Sequence, residues 1–489
     1  MPIRRNAAAA ALVGLALAGC QKDGSSSQSL NALLSTGPDA QTREMLGTDL
    51  AEVLEAQGQT MARFNDTTNT GAAVVPLNAL LSHAMVRNPS IGQAAQKINQ
   101  AEAERMRAIY AMLPQIYVNF TYDGLDQRVL ASDNEVFEEG ETMYPVKTSS
   151  ASIVQPLFDP ARRFRLQLAK NVKSGAEVDY IGAVRDVVYE VFDNYIVANQ
   201  ARARMASLKE RRALIARQIS SQGDLVATGL SNVLEASSLR SERDSTAAQE
   251  SLEAARYAEA LSNLASLTGM VISDVEALTI SQDLISSVKK INVDTAVADA
   301  LENNPGIMSA ALQVVGSEIE RKEAHATDIS PVLEAYATIE REDRADSRFG
   351  GGSLTLDRTL GVSLTIPIFN SKGTGLYEPT KRAAVKSAVT EYHVRRRAVE
   401  TEVRTTHARL MELTDAISQS QNAAYHAGKA LEVEQQRVAS GESVDLAVAA
   451  RQLRLNEARE QMFYYRAEFM RSWARLNYLM GADLTRQGF

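Results

Sequence analysis

The sequence lacks several features on which many proteins depend. It has a single cysteine in 489 residues, so no disulfide can form within the chain. It contains no apolar run of 18 residues, which excludes a conventional membrane-spanning helix. Lysine and arginine, 52 in all, are fewer than the 60 aspartates and glutamates with which they are interspersed. This balance argues against a surface built to bind the phosphate backbone of nucleic acid, so nucleic acid is not expected as a partner.

Catalytic motifs are also absent from the sequence. The histidines do not have metal-ligand spacing, and the chain has no phosphate-binding lysine loop and no nucleophile elbow. Gly350-Gly351-Gly352 is not followed by a lysine motif and is therefore expected to be a loop. The sequence predicts neither an enzyme nor a bound metal or cofactor. The histidines are His83, His325, His393, His407 and His426.

The first twenty residues have the pattern of an export signal. Arg4 and Arg5 precede an apolar stretch over 7–18 that is too short to span a bilayer, and the stretch is followed by Cys20. The end of the segment resembles a bacterial lipoprotein signal, which implies that Cys20 is the first residue of the mature chain and carries a covalent lipid. Gln21 after the cysteine favours the outer membrane by the same resemblance. The alternative is ordinary cleavage near Ala18, which would leave Cys20 as an incidental thiol.

The rest of the sequence consists of two copies of one plan. Asn88-Pro89 recurs 216 positions later as Asn304-Pro305, and Glu102 and Arg105 recur as Glu318 and Arg321 with the same shift. Farther on, the segments at 226–229 and 264–269 recur at 438–441 and 476–481. Such spacing indicates a duplication of about 200 residues.

Proline placement separates helices from strands in each copy. No proline occurs between Ala161 and Asn304 or after Pro379, and these tracts carry apolar residues in alternating steps of three and four. They predict long helical hairpins over about 162–268 and 376–480, the first interrupted at Gly223 and Gly229. The two apolar seams are Ile181, Val184, Val188, Val191, Tyr195 and Ala198, and Val385, Val389, Tyr392, Val399, Val403, Leu410, Leu413 and Ile417.

Period-two alternation marks the second kind of element. Apolar residues alternate with small or polar ones from Ile116 to Tyr122 and from Leu360 to Ile368. With weaker partners, the pattern predicts strands over about 115–123, 149–158, 332–340 and 359–369, paired as one hairpin in each copy. Four strands are too few to close a membrane barrel, and an open sheet in lipid would leave backbone groups unpaired. If the strands lie in a membrane, several chains must share one barrel.

This order of elements, repeated behind a lipoprotein signal, resembles the TolC-like outer-membrane factors of tripartite efflux and type I secretion systems. The residues that carry the resemblance are the two Asn-Pro pairs, Pro156-Leu157-Phe158, Pro367-Ile368-Phe369, and the segments around Gly229 and Gly441. It implies an α+β membrane protein that forms a homotrimer, in which four strands per chain build a twelve-stranded barrel continued by a helical periplasmic tunnel. It also implies a periplasmic adaptor, an inner-membrane transporter and outer-membrane lipid as partners, and a lipid-anchored location in the outer membrane.

The expected division of the chain follows from the repeats and the resemblance. Residues 1–19 form the signal, 20–76 a lipidated leader and equatorial segment, and 77–269 the first repeat. Residues 270–292 form an equatorial connector, 293–481 the second repeat, and 482–489 a tail.

The turns of the two hairpins are the candidate periplasmic tips. Gly441, Glu442 and Asp445 in the second repeat, and Gly229 and Asn232 in the first, lie where the family has its entrance. Asp445 is either a gate residue, with Glu442 beside it, or a helix cap, for which Ser443 is the other candidate. Asn232, with Glu235 three residues later, has the same two interpretations.

Two functions are compatible with these features. The first is a passive outer-membrane exit duct that an inner-membrane partner powers. The second is a lipid-anchored periplasmic coiled-coil scaffold or adaptor without a membrane barrel. The alternation near Leu360, within two duplicated hairpins, favours the duct.

Overall fold

The computed structural model describes residues 74–130, 140–227, 233–345, 352–368 and 377–482. In chain order the elements are α1 (Leu77–Arg87), α2 (Pro89–Tyr110), β1 (Gln115–Val129), β2 (Gly140–Phe158), α3 (Pro160–Ala227), α4 (Val233–Thr268), α5 (Gln282–Val288), α6 (Val293–Asn303), α7 (Pro305–Ile329), β3 (Val332–Arg344), β4 (Ser353–Thr365), α8 (Tyr377–Ala439) and α9 (Asp445–Met480). The order helix, strand, strand, long helical pair occurs twice, which confirms the duplicated fold.

The chain divides into two compact units. One contains all four strands and the helical segments that adjoin them, over 98–176 and 311–391. The other contains the remaining described residues, which are almost entirely helical. Among the helices of the described ranges, none has the length and apolar character needed to cross a membrane.

The four strands form one antiparallel sheet in the order β1-β2-β3-β4. The two predicted hairpins, β1 with β2 and β3 with β4, are present. A third pairing, between β2 and β3, joins the two repeats within the sheet and was not predicted. Each of β1 and β4 pairs on one side only within the described chain, so the sheet has two edges whose backbone groups lack a strand partner.

The strands differ from the expected ranges at both ends. β1 and β2 continue to Val129 and back to Gly140, and β3 and β4 are also longer than expected on the side of their connecting loop. The added residues are largely polar, so strand pairing overrides their weak β propensity. β4 ends at Thr365 rather than near 369. Pro367 accounts for this, because proline has no backbone N–H to donate to a strand ladder.

The long helices largely follow their predicted seams. In α3, Val184, Val188 and Val191 are buried. In α8 the seam is buried from Val399 to Ile417, while Val389 is 36% exposed. The predicted break at Gly223 is wrong, because α3 continues to Ala227. A single glycine inside a helix costs only about 1 kcal/mol, which the packing of so long a helix offsets.

The two Asn-Pro pairs have the same structural role in both repeats. Asn88 lies between α1 and α2, where its Oδ1 accepts from the N–H of Ser90 at 2.9 Å and its Nδ2 donates to the carbonyl of Leu267 at 3.0 Å. Asn304 accepts from the N–H of Gly306 at 3.0 Å and donates to the carbonyl of Leu479 at 3.4 Å. Each asparagine thus caps one helix and fixes the last turn of another. We call these two arrangements the asparagine clasps.

A glycine follows each helix end that a clasp holds. Gly269 and Gly481 have φ angles of +67° and +74°, the left-handed conformation that ends many helices. A Cβ on Gly269 would meet nothing closer than 3.9 Å. A Cβ on Gly481 would lie 3.0 Å from the carbonyl oxygen of Asn303 and 2.7 Å from an Arg185 nitrogen. The second clasp is therefore packed much more tightly than the first.

Candidate functional site: the second hairpin turn and the two faces of the sheet

The turn between α8 and α9 is compact. Gly441 has a φ of +80°. Its N–H donates to the carbonyl of Val438 at 3.0 Å, and the N–H of Glu442 donates to the carbonyl of Arg437 at 2.8 Å. These two bonds define a Schellman motif, in which the left-handed residue is usually glycine. The sequence signal around Gly441 is therefore that of a helix end with a fixed geometry.

The two predicted gate acids lie immediately after this glycine. Glu442 and Asp445 are both exposed. The residue that caps α9 is Val444, which makes no side-chain hydrogen bond to the helix, so neither Ser443 nor Asp445 is the cap. Asp445 instead occupies the first turn of α9, where a negative charge interacts favourably with the helix dipole. Neither of the two carboxylates therefore caps α9.

A third acid, Glu434, holds the turn together. Its side chain is 8% exposed, and one carboxylate oxygen accepts from the Ser443 hydroxyl at 2.5 Å. Arg437 of α8 lies 3.9 Å from the carboxylate and Arg451 of α9 lies 3.6 Å from it. The hydrogen bond from Ser443, followed by the charges of the two arginines, holds the pKa of Glu434 below its usual value. Glu434 was not predicted from the sequence, because Ser443 and Arg451 approach it only across the turn.

We expect Glu434→Gln to loosen this turn. A neutral amide loses the attraction to both arginines, so the backbone amides of residues 442–446 should exchange hydrogen faster than in the wild type. Glu442→Gln is the matched control, since it removes an exposed carboxylate from the same turn. Folding lowers the pKa of Glu434, so its carboxylate stabilises the turn at pH values above the unfolded pKa of about 4.3. This stabilisation is lost as the pH falls through the lower folded-state pKa. Equal exchange in both variants at neutral pH would show that Glu434 does not brace the turn.

The remaining candidate residues lie outside the described ranges. These are Cys20 at the expected lipid attachment point, and Gly229 and Asn232 at the turn of the first hairpin.

The sheet has one apolar face. Residues paired across all four strands share a face, and the row from Ile116 runs through Ile153 and Ala337 to Leu360. The next row towards the strand loops starts at Val118 and also includes Ala151 and Ile339. Leu360 is 84% exposed and Ile116 is 69% exposed, so these side chains are not covered within the chain. An uncovered apolar band of this kind marks contact with another molecule or with lipid.

The opposite face of the sheet is polar. Its rows begin at Tyr117 and Asn119 of β1 and include serines and threonines of β2 and β4 and glutamates of β3. Tyr336 of β3 lies across Gly361 of β4 on this face, so close that a Cβ on the glycine would be 2.7 Å from the ring. In the rows nearer the helices the sheet is therefore amphipathic across all four strands, as in an antiparallel sheet with lipid on one side and water on the other.

Comparison with known proteins agrees with this architecture. The sequence model described as outer membrane efflux protein matches residues 80–270 and 296–482, one range in each half of the chain. The chain belongs to the outer membrane efflux protein family. A search of curated protein sequences finds no match.

Solved structures of outer-membrane channels share the fold of this family member. The Campylobacter jejuni CmeC outer membrane channel superposes with a TM-score of 0.69 at 15% identity, over 84% of this chain and 87% of CmeC. The outer membrane protein VceC from Vibrio cholerae gives 0.66 at 14% identity, over 83% and 96% of the two chains. The open state of the Neisseria gonorrhoeae MtrE outer membrane channel gives 0.63 at 16% identity, over 84% and 90%.

Family membership settles the main choice that the sequence left open. The protein is an outer-membrane efflux channel, a transport duct rather than an enzyme or a scaffold without a membrane sheet. The match covers both repeats and therefore both the sheet and the long helical pairs.

Proposed function

We propose that three copies of this chain form the outer-membrane exit duct of a tripartite efflux pump, with a periplasmic adaptor and an inner-membrane transporter as partners. The observation that carries the proposal is the amphipathic four-stranded sheet with unpaired edges at β1 and β4. In lipid an unpaired edge leaves backbone groups without partners, each at a cost of several kcal/mol. Joining the edges of several copies removes that cost, and three copies supply twelve strands.

The test is the mass and the conductance of the purified protein. Crosslinking and mass measurement in detergent should give three copies, and the same preparation should form channels in planar bilayers. A folded monomer in detergent, or a trimer that never conducts, would contradict the proposal. A strain that lacks the gene should accumulate pump substrates, and the restored gene should reverse this.

The proposed anchor is a lipid on Cys20, for which the support is the signal-like sequence ahead of the chain's single cysteine. We expect mass spectrometry of the N-terminal peptide to show cleavage before Cys20 and acylation of that residue. Cys20→Ser should remove the lipid while the protein still trimerises, because the apolar face of the sheet provides its own attachment to the membrane. An unmodified Cys20, or cleavage elsewhere, contradicts the anchor and leaves the duct proposal unaffected.

The proposed gate is a ring of acids at the second hairpin turn. Glu442 and Asp445 are exposed just past Gly441, so three chains bring up to six carboxylates to one end of the duct. Like charges crowded together repel one another and attract multivalent cations. The ring is expected to narrow the entrance and to make the channel selective for cations.

We expect trivalent cations on the periplasmic side to block single channels, and Asp445→Asn to weaken the block several-fold. Glu412→Gln is the control: it also removes an exposed acid, but about 44 Å along α8 from Gly441 at 1.5 Å per residue. If both substitutions change the block equally, the cations act elsewhere in the duct. If neither does, Asp445 serves only the dipole of α9.

A further inference from the structure

Four cationic side chains lie on the apolar face of the described sheet, and three of them are close together. The fourth, Arg128 of β1, lies nearer the strand loops and pairs with Glu141 of β2. Of the three, Lys147 lies on β2, Arg341 on β3 and Arg358 on β4. Ser149, two residues from Lys147 on β2, pairs with Arg341 of β3. Ile339, two residues from Arg341 on β3, pairs with Arg358 of β4. Such diagonal neighbours have Cβ atoms about 7–8 Å apart. These three cations therefore form one oblique line on the face that also carries Ile116 and Leu360; we call them the cation line.

No described side chain forms an ion pair with these cations. All three are exposed, and within the described chain none makes a side-chain hydrogen bond or an ion pair. Asp343 is directly opposite Lys147 on the same face, yet no ion pair joins them. Arg344, one residue farther on β3 but on the polar face, is paired with Glu342. The sheet thus pairs its polar-face arginine and leaves the cation line open.

Apart from Asp343 and Ser149, the nearest neighbours of the cation line are apolar or aromatic. Leu356 is the direct partner of Arg341, and Leu354 and Tyr122 lie in the same row as Lys147. These three side chains are 55%, 62% and 70% exposed respectively. Exposed leucines suit acyl chains, and tyrosine is enriched where a membrane meets water. The mixture is therefore that of a membrane interface and not of a surface in bulk water.

Depth in the membrane decides what the cation line contacts. A lysine or arginine on the lipid face is strongly unfavourable at the membrane midplane and close to neutral near the interface. The fully apolar row of Ile116 and Leu360 lies on the side towards the helices, and the cations lie farther towards the strand loops. With that row in the acyl region, the cations reach the headgroups of the leaflet on the loop side. Phosphate oxygens there match the forked donors of arginine.

We propose that Lys147, Arg341 and Arg358 bind phosphate-bearing lipid headgroups of the leaflet nearest the strand loops. The inference rests on the proposed function, since it needs the sheet to lie in the membrane. The lipid phosphates contribute the anionic partner that these three cations lack within the described chain. Such lipids occupy the outside of the assembled sheet and hold neighbouring strands together.

The experiment uses the full-length assembled protein in detergent and native mass spectrometry. Diphosphoryl lipid A, monophosphoryl lipid A and phosphatidylcholine are added separately to the wild type, to the triple variant Lys147→Gln, Arg341→Gln, Arg358→Gln, to Arg358→Gln alone, and to Arg344→Gln. We expect the wild type to retain the diphosphoryl lipid most strongly and phosphatidylcholine least. The triple variant should bind the diphosphoryl lipid at least about tenfold more weakly, because it loses all three charged donors to the phosphates. Arg358→Gln should weaken binding by a smaller factor and Arg344→Gln should not change it.

Three results would overturn the proposal. They are equal lipid retention by the wild type and both cation-line variants, equal loss in Arg344→Gln, and complete displacement of the lipid by inorganic phosphate, which would indicate a site for a free anion. Bilayer conductance of the same preparations keeps the two proposals separate. If the wild type conducts and the variants bind lipid equally well, only the lipid site fails. If the wild type neither trimerises nor conducts, the duct itself fails.

Discussion

Val362→Arg should prevent assembly of the channel. Val362 lies on the apolar face of β4 opposite Ala335 and is 64% exposed. An arginine on the lipid face costs about 2–4 kcal/mol at the membrane midplane, and three chains place three arginines in one assembly. We therefore expect almost no heat-labile trimer in membrane extracts and loss of efflux. Leu364→Arg, on the same face, should behave in the same way.

The neighbouring residue provides the control. Ser363 lies between these two positions, but its side chain is on the polar face, opposite Glu334. Ser363→Arg adds the same bulk and charge to the same strand, and it faces water and a carboxylate. Trimer yield should therefore stay close to that of the wild type. If Val362→Arg and Ser363→Arg gave the same yield, the assignment of the apolar face to lipid would be wrong.

Gly481→Ala should destabilise the helical unit far more than the equivalent change in the first repeat. A left-handed backbone costs a non-glycine residue about 1–2 kcal/mol, and that cost applies to both Gly269 and Gly481. At Gly481 the new methyl group also lies 2.9 Å from the Cβ and 3.0 Å from the backbone oxygen of Asn303. Backbone atoms cannot rotate away, and overpacking of this kind adds about 1–3 kcal/mol.

Gly269→Ala is the matched control because its nearest neighbour, the Arg87 side chain, is 3.9 Å away. Thermal unfolding of the two variants, followed by circular dichroism in detergent, should place the midpoint of Gly481→Ala well below that of Gly269→Ala. A smaller change should come from Asn88→Ala, which leaves the Leu267 carbonyl without its side-chain donor. Equal midpoints for the two glycine variants would mean that the second clasp relaxes around the added methyl group.

Much of this fold was predictable because its signals are long and repeated. Proline-free tracts with three-four apolar spacing gave both helical pairs, and the Asn-Pro repeat gave the duplication. The partners of Asn88 and Asn304 were not predictable, because the carbonyls of Leu267 and Leu479 are brought to them only by packing. The strand lengths were predicted wrongly for a related reason. The outer part of β1 contains Gly124, Asp126 and Arg128, which have little strand propensity but pair in register with β2.

The candidate gate was also predictable only in part. Gly441 was recognisable because a left-handed helix end favours glycine, and the exposed acids after it followed from their position in the chain. Glu434 was not recognised, because an acid seven residues before the turn looks like any solvated helix residue in sequence. Its burial depends on Ser443 and Arg451, which reach it only after the chain has reversed direction. A side chain whose role arises from a turn is not visible to periodicity.

Each asparagine clasp is closed within a single repeat, since Asn88 holds Leu267 and Asn304 holds Leu479. A single repeat thus contains both partners of its own clasp, and duplication of that repeat required no new hydrogen bond at the clasp. Once fused, the two copies were free to diverge, and the packing around Gly269 and Gly481 shows that they have done so. Three such chains present six similar helical pairs of two alternating kinds. If the proposed adaptor docks around them, it meets two non-identical surfaces in turn and must either distinguish them or tolerate both.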